Sequence, residues 1–222
     1  IYNDINTISS EILNRKLYQN SIILIKNNNN LIPLERLDTL KIASVSLGAN
    51  KQTEFQDILN YYSKMDNYYL DKNSKSNEYN ELINKLKKYN LVIIGIHDAN
   101  QQVNKNYNIT NEQISFINQL KSQTNIILNL FANPYSLALF EDTTNIDAII
   151  ISHQSNKYTE NASAQIIFGG MPVTGKLPVS VGKFKAGEGH ILNKKTRLGY
   201  SIPEELNINP LFEKGIDSLI NR

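Results

Sequence analysis

The sequence contains no cysteine among its 222 residues. A chain without thiols forms no disulfide, builds no thiolate zinc site or iron–sulfur cluster, and has no cysteine nucleophile. The absence excludes thiol chemistry but no compartment, since cysteine-free chains suit both the cytosol and the periplasm.

Strong charge and long apolar runs are also missing. The 23 Lys and Arg residues nearly balance 21 Asp and Glu, and no basic run stands out, so we expect no nucleic-acid partner. No apolar run approaches the ~20 residues that span a bilayer, which predicts no membrane span. The first residues do not resemble a signal peptide and include no initiator Met, so we expect a mature product or a piece of a longer protein.

Short runs rich in Ile and Val recur along the chain and predict strands. Runs that are apolar throughout are typical of strands covered on both faces, as in parallel sheets. The four strongest strand predictions are residues 41–47, 91–96, 125–131 and 146–152. Residues 67–71 give a weaker fifth strand, and residues 176–181 a sixth, placed at an edge because of Pro178.

Amphipathic stretches separate these runs and predict helices. Thr110 and Gln113 have the spacing of a capping box at the start of one of them. The predicted helices cover residues 53–64, 77–88, 110–122 and 160–168, preceded by a long leading helix over 9–26 that turns extended near its end.

This alternation predicts an α/β fold: a three-layer α/β/α sandwich with a mostly parallel sheet of five or six strands and helices on both faces. We divide the chain into a leading helix and lead-in segment (1–34), the sandwich domain (35–182) and a tail or linker toward a further domain (183–222).

Functional loops of such folds lie at the carboxyl ends of the strands. His97 and Asp98 follow one predicted core strand, and His153 ends another. Together they suit a zinc or general-base cluster, or simply polar caps at strand ends, which are commoner. No ligand spacing, nucleophile motif or carboxylate pair accompanies them, so we assign no catalytic residue, metal or cofactor and keep the three as substrate-cleft or interface candidates.

Residues 170–176 match the Gly-x-x-x-x-Gly-Lys spacing of a phosphate-binding loop. Such a loop needs a strand before it and a helix after it, whereas a predicted helix precedes this one. Leu177 replaces the Ser or Thr that would hold magnesium, and prolines remove backbone amides. The sequence therefore predicts a structural turn, built from Gly169, Gly170, Pro172, Gly175 and Pro178. A flavin-phosphate loop after the first core strand is also disfavoured, because its hydroxyls, Ser46 and Thr53, are far apart.

The order of these landmarks resembles the second domain of glycoside hydrolase family 3. The resemblance covers residues 9 to about 182 and rests on SIILIKNNNNLIPL (21–34), KIASVSLG (41–48), YNLVIIGIHDAN (89–100), ITNEQISFINQLKSQTNIILNLFANPYSL (109–137) and AQIIFGGMPVTGKLPVSV (164–181). The last of these, similar to the family's "L-F-G-x-x-x-P-S-G-K-L-P-V", is the most specific.

The resemblance implies a catalytic nucleophile on a preceding (β/α)-barrel domain, to which nothing here corresponds. In the β-glucosidase branch, the acid/base glutamate follows the strand matched by LVIIGI, yet residues 97–108 contain no glutamate. A loop without glutamate resembles the N-acetylglucosaminidase branch, whose acid/base is a His–Asp pair on the barrel. The implied role is an accessory domain that packs on the barrel, shapes the cleft for a carbohydrate substrate and is inactive alone.

The tail, GYSIPEELNINPLFEKGIDSLINR (199–222), resembles the lead-in to a β-lactamase-like domain, as in bacterial fusions of the two. The resemblance therefore implies a bacterial protein that is periplasmic, secreted or at the cell surface. The alternative is a free-standing flavodoxin-like domain that binds a small ligand through His97, Asp98 and His153.

Overall fold

The computed structural model describes residues 7–140, 142–209 and 211–220. The first six residues of the predicted leading segment, and residues 210, 221 and 222 of the predicted tail, lie outside this description. The described part contains no helix that is both long and apolar enough to cross a membrane.

The centre of the domain is a six-stranded sheet in the order β1-β6-β5-β4-β2-β3. All neighbouring pairs are parallel except β1 with β6, which is antiparallel. Every residue of β2, β4 and β6 is buried, as expected for strands covered on both faces. The strands are β1 (Ile23–Asn27), β2 (Ile42–Leu47), β3 (Asp66–Leu70), β4 (Leu91–Ile96), β5 (Asn125–Leu130) and β6 (Ala148–Ile151).

Helices cover both faces of this sheet, which confirms the predicted three-layer sandwich. The helices are α1 (Ile8–Ser21), α2 (Glu54–Tyr62), α3 (Ser76–Leu86), α4 (Asn111–Leu120), α5 (Lys157–Phe168) and α6 (Leu211–Ile220). Leu82 of α3 and Phe116 of α4 are buried on one face of the sheet. Phe55 of α2 and Phe168 of α5 are buried on the other. Helix α1 lies outside α5, where the rings of Tyr18 and Tyr158 stack at 5.5 Å.

The predicted edge strand over residues 176–181 is wrong. Leu177 exchanges backbone hydrogen bonds with Gly187 and Glu188, and Val181 forms an isolated bridge with Phe184, so no ladder develops. Pro178 has no N–H to extend one. Leu177 and Val181 are apolar because they are buried in the core, and not because the segment forms a strand. The sixth strand is β1, the extended end of the predicted leading helix, which occupies the edge beside β6.

The described tail stays hydrogen-bonded to the sandwich, through His190 and Leu192 and again farther along the chain. The guanidinium group of Arg197 donates hydrogen bonds to the carbonyl oxygens of Leu34 and Phe168, at the end of α5. The hydroxyl of Tyr62 donates to the carbonyl oxygen of Leu198 at 2.8 Å. Residues 196–200 are therefore fixed against α2 and α5. The division of the chain into three parts remains a prediction.

The Gly-rich turn after α5 is tightly enclosed. Gly169 caps the helix with a left-handed φ of 78°. A Cβ at Gly169 would lie 2.1 Å from Thr196 Oγ1 and 2.9 Å from Pro33 Cβ. The turn thus combines a backbone conformation that favours glycine with contacts that leave no room for a side chain.

Replacing Gly169 with alanine tests this packing. We expect Gly169→Ala to lower the free energy of unfolding by about 3 kcal/mol, the sum of a left-handed backbone penalty and overpacking. Gly187→Ala is the matched control, since Gly187 has a φ of 87° but nothing within 4 Å of a Cβ. Gly187→Ala should lower the free energy of unfolding, measured by urea titration, by only about 1 kcal/mol. Equal losses in the two variants would contradict the steric part of this explanation.

Candidate functional site

The carboxyl ends of the parallel strands open onto a polar cleft of about 1080 Å³. Four loops line it: residues 48–53 after β2, residues 71–72 after β3, residues 97–101 after β4 and residues 154–157 after β6. This is the edge at which ligands bind in open parallel sheets. It is therefore the candidate functional site of the domain.

His97 forms the floor of the cleft at the end of β4. Its side chain is buried, and its ring stacks on Phe131 with centroids 4.6 Å apart. Nδ1 lies 3.2 Å from Ser155 Oγ and 3.5 Å from Glu160 Oε1. Nε2 is buried without a hydrogen-bond partner among the described residues and sits over Gly95, where a Cβ would come within 2.7 Å. The imidazole is thus packed in place, with only its Nδ1 edge engaged.

Glu160 is the key residue of the site that sequence reasoning missed. It is buried in the first turn of α5, where Oε1 accepts a hydrogen bond from Ser155 Oγ at 2.5 Å. Oε2 accepts from the backbone N–H of Phe55 at 3.0 Å, a donor that the start of α2 leaves without an intrahelical partner. One available signal was an acidic residue in the first turn of a helix that follows a strand end.

The protonation of Glu160 follows from these contacts. Burial alone would raise the pKa of its carboxyl group. The hydrogen bond and charge of His97, with the hydrogen bonds from Ser155 and Phe55, outweigh burial and hold that pKa below its ordinary value. Glu160 is therefore ionised at neutral pH and links three of the elements around the cleft.

Asp98 lies at the exposed rim of the cleft. It has a left-handed φ of 54°, which is uncommon for a residue other than glycine. Its Oδ2 is 3.1 Å from Lys72 Nζ and accepts a hydrogen bond from Asn108 Nδ2 at 3.1 Å. Such an exposed ion pair adds little stability, so its main effect is to orient the carboxylate.

His153 is placed apart from the other two candidates. It also has a left-handed φ, 62°, but its Nε2 lies 2.9 Å from the carbonyl oxygen of Ser21, at the end of α1. Burial lowers the pKa of His153, and the Ser21 carbonyl opposes that shift. The structure brings His97 and Asp98 to the cleft and turns His153 toward α1. Across the described ranges, no group of three or more His, Asp or Glu side chains is placed to hold a metal ion.

The two segments considered as phosphate-binding loops make contacts within the chain. Lys176 Nζ donates to the carbonyl oxygen of Gly189 at 2.6 Å. Ser46 Oγ lies 3.1 Å from Thr53 Oγ1, and Thr53 caps the start of α2. These groups bind the chain's own backbone and side chains.

Sequence comparison assigns the family. Residues 22–217 match the sequence profile described as the glycosyl hydrolase family 3 C-terminal domain. The match covers most of the chain, so the protein belongs to this family. A comparison with curated proteins yields no match. Family membership favours the glycosidase interpretation over a free-standing flavodoxin-like domain.

Solved structures share the fold at low identity. One is a fungal multi-domain family 3 β-N-acetylglucosaminidase, with 18% identity and a TM-score of 0.61 over 80% of this chain and 20% of its own. A β-N-acetylglucosaminidase from Paenibacillus sp. has 13% identity and a TM-score of 0.59, covering 75% and 32%. A family 3 exo-β-xylosidase has 18% identity and a TM-score of 0.57, covering 81% and 26%. The chain therefore spans between a fifth and a third of these neighbours.

Replacing Glu160 with glutamine tests the buried network. We expect Glu160→Gln to lower the free energy of unfolding at neutral pH by about 2 kcal/mol, because one of its donors loses an acceptor. Since the native pKa of Glu160 is lowered, its ionised form stabilises the fold above the ordinary carboxyl pKa. That contribution is lost as the pH falls through the native pKa.

Urea unfolding from neutral to acidic pH measures both effects. The difference between wild type and Glu160→Gln should shrink in acid, while Glu54→Gln, an exposed glutamate lining the same cleft, should match wild type within about 0.5 kcal/mol. A Glu160→Gln difference that does not change with pH would show that the charge of Glu160 is irrelevant.

Proposed function

We propose that this chain is the accessory domain of a family 3 glycosidase of the β-N-acetylglucosaminidase type. It packs on a catalytic (β/α)-barrel of the same polypeptide, and its strand-end cleft forms part of the rim of the carbohydrate-binding site. The observation that carries the proposal is the family match over residues 22–217, combined with a cleft that has binding groups but no glutamate in the loop over residues 97–108.

The cleft's own side chains support a role without bond breaking. A serine nucleophile needs a base that takes its proton on one ring nitrogen and is held by an acid through the other. Ser155 and Glu160 instead meet at the same nitrogen, Nδ1 of His97, and the Ser155 hydroxyl donates its hydrogen bond to Glu160 Oε1. Nε2 of His97 is buried and cannot reach a substrate. The Ser–His–Glu set therefore connects elements and does not activate a nucleophile.

The acid/base assignment rests on the family resemblance. Asp98 is the carboxylate in the loop after β4, and its position at the rim suits a hydrogen bond to a sugar hydroxyl rather than proton donation. With both reacting groups on the barrel, the β-N-acetylglucosaminidase branch fits this loop better than the β-glucosidase branch.

The proposal extends to the whole protein. The resemblance of residues 199–222 to a β-lactamase lead-in supports a further domain of that type after this one. We propose a bacterial protein acting in the periplasm, outside the cell or at its surface, where N-acetylglucosamine polymers of the cell wall are accessible.

Turnover assays test the accessory role. The isolated chain should not hydrolyse an aryl β-N-acetylglucosaminide at an enzyme-like rate, whereas the full-length protein should. The matched control is the full-length protein with the barrel's acid/base His–Asp pair replaced. Enzyme-like turnover by the isolated chain would contradict the accessory role.

Asp98→Ala in the full-length enzyme tests the rim contact. Loss of one hydrogen bond to the sugar should raise KM about tenfold and leave kcat nearly unchanged, since the contact exists in both the bound substrate and the transition state. Asp71→Ala, which removes another carboxylate of the same cleft, is the control and should have a smaller effect. A fall in kcat of several orders of magnitude would make Asp98 a catalytic residue instead.

A further inference from the structure

A second groove adjoins the cleft. It has a volume of about 510 Å³ and lies between α1, α2, α5 and residues 200–202 of the tail. Glu54 and Lys157 line both the cleft and the groove, so the two form one continuous surface.

Two tyrosines form an aromatic platform in the groove. Tyr61 of α2 is 60% exposed and Tyr200 of the tail is 39% exposed, with ring centroids 5.0 Å apart and ring planes inclined at 57°. Gln165 holds Tyr200 in place through both backbone groups: its Oε1 accepts from Tyr200 N at 2.6 Å, and its Nε2 donates to Tyr200 O at 2.8 Å. The backbone of Tyr200 is therefore held in place before any ligand binds.

Arg15 supplies hydrogen-bond donors beside the platform. Its side chain is 13% exposed, and its Nε is buried without a hydrogen bond among the described residues. Nε forms an ion pair with Glu205 Oε1, which lies 3.4 Å away. Because Nε is buried, a ligand in the groove would be bound by the other N–H groups of Arg15, whose side chain lines the groove.

The formal charges of the groove cancel. Glu11 and Glu54 are matched by Arg15 and Lys157, and Glu11 lies 2.8 Å from Lys157. The groove thus offers donors, acceptors and aromatic faces without a net charge, a set that favours a neutral ligand with many hydroxyl groups over an anion.

We infer that this groove is a subsite for a neutral oligosaccharide, extending the cleft away from the site of hydrolysis. The C–H groups of a sugar ring pack against the electron-rich face of the more exposed ring, Tyr61, with Tyr200 beside it. Arg15 donates to a ring or acetyl oxygen, and Glu54 accepts from hydroxyls. The carbohydrate class rests on the proposed function, while the location rests on the groove itself.

Binding of two neutral tetrasaccharides to the chain tests the subsite by isothermal titration calorimetry. Chitotetraose carries N-acetyl groups and cellotetraose does not. We expect saturable, millimolar binding of chitotetraose, weakened about tenfold by Tyr61→Ala and by Arg15→Gln. Tyr69→Ala is the matched control, since Tyr69 is 48% exposed on β3 and lines neither the cleft nor the groove. It should bind as wild type does, and urea unfolding should show that all variants are folded.

The possible outcomes separate the two proposals. No saturable binding of either sugar, or equal affinity in all variants, would overturn the subsite and leave the accessory role standing. Binding of cellotetraose alone, lost in Tyr61→Ala and Arg15→Gln, would support the subsite but contradict the N-acetylglucosaminide specificity.

Discussion

The buried carboxylate of Glu160 is the interaction on which the cleft depends. It joins the start of α2 through Phe55, the loop after β6 through Ser155 and the end of β4 through His97. An unpaired carboxylate in this position would be costly, whereas one with several donors is held ionised and rigid. Because these elements come from distant parts of the chain, one side chain determines how the cleft walls stand relative to each other.

The same network also occupies the histidine and the serine of the cleft. Ser155 and the Nδ1 edge of His97 are engaged with Glu160 and with each other, and Nε2 of His97 is covered by its own strand. Groups that could contact a substrate stand outside the network, at the rim (Asp98) and in the adjoining groove (Tyr61). A rigid wall with a binding surface suits a domain whose task is to complete the site of a neighbouring catalytic domain.

The sheet was predictable because its central strands are continuous apolar runs, a pattern that depends only on local sequence. The edge strands of the sheet are harder to predict. Residues 23–27 continue directly from α1, so the sequence predicts only the extended end of a helix there. Residues 176–181 alternate like a strand, although Pro178 and the turn before it prevent pairing. His97 and Asp98 were found from their position after a core strand. Glu160 was not, because its partner Phe55 is 105 residues away and only the fold brings them together. Likewise, Tyr200 joins Tyr61 only once the tail has returned to the sandwich.

Hydrogen–deuterium exchange, compared between the isolated chain and the full-length protein, tests most directly whether the cleft faces a catalytic partner domain. The account predicts slower exchange in the full-length protein for the cleft loops, residues 48–53, 97–101 and 154–157, with little change in the core strands. Identical exchange of these loops in both proteins would contradict the claim that this edge of the sheet completes a site on the barrel.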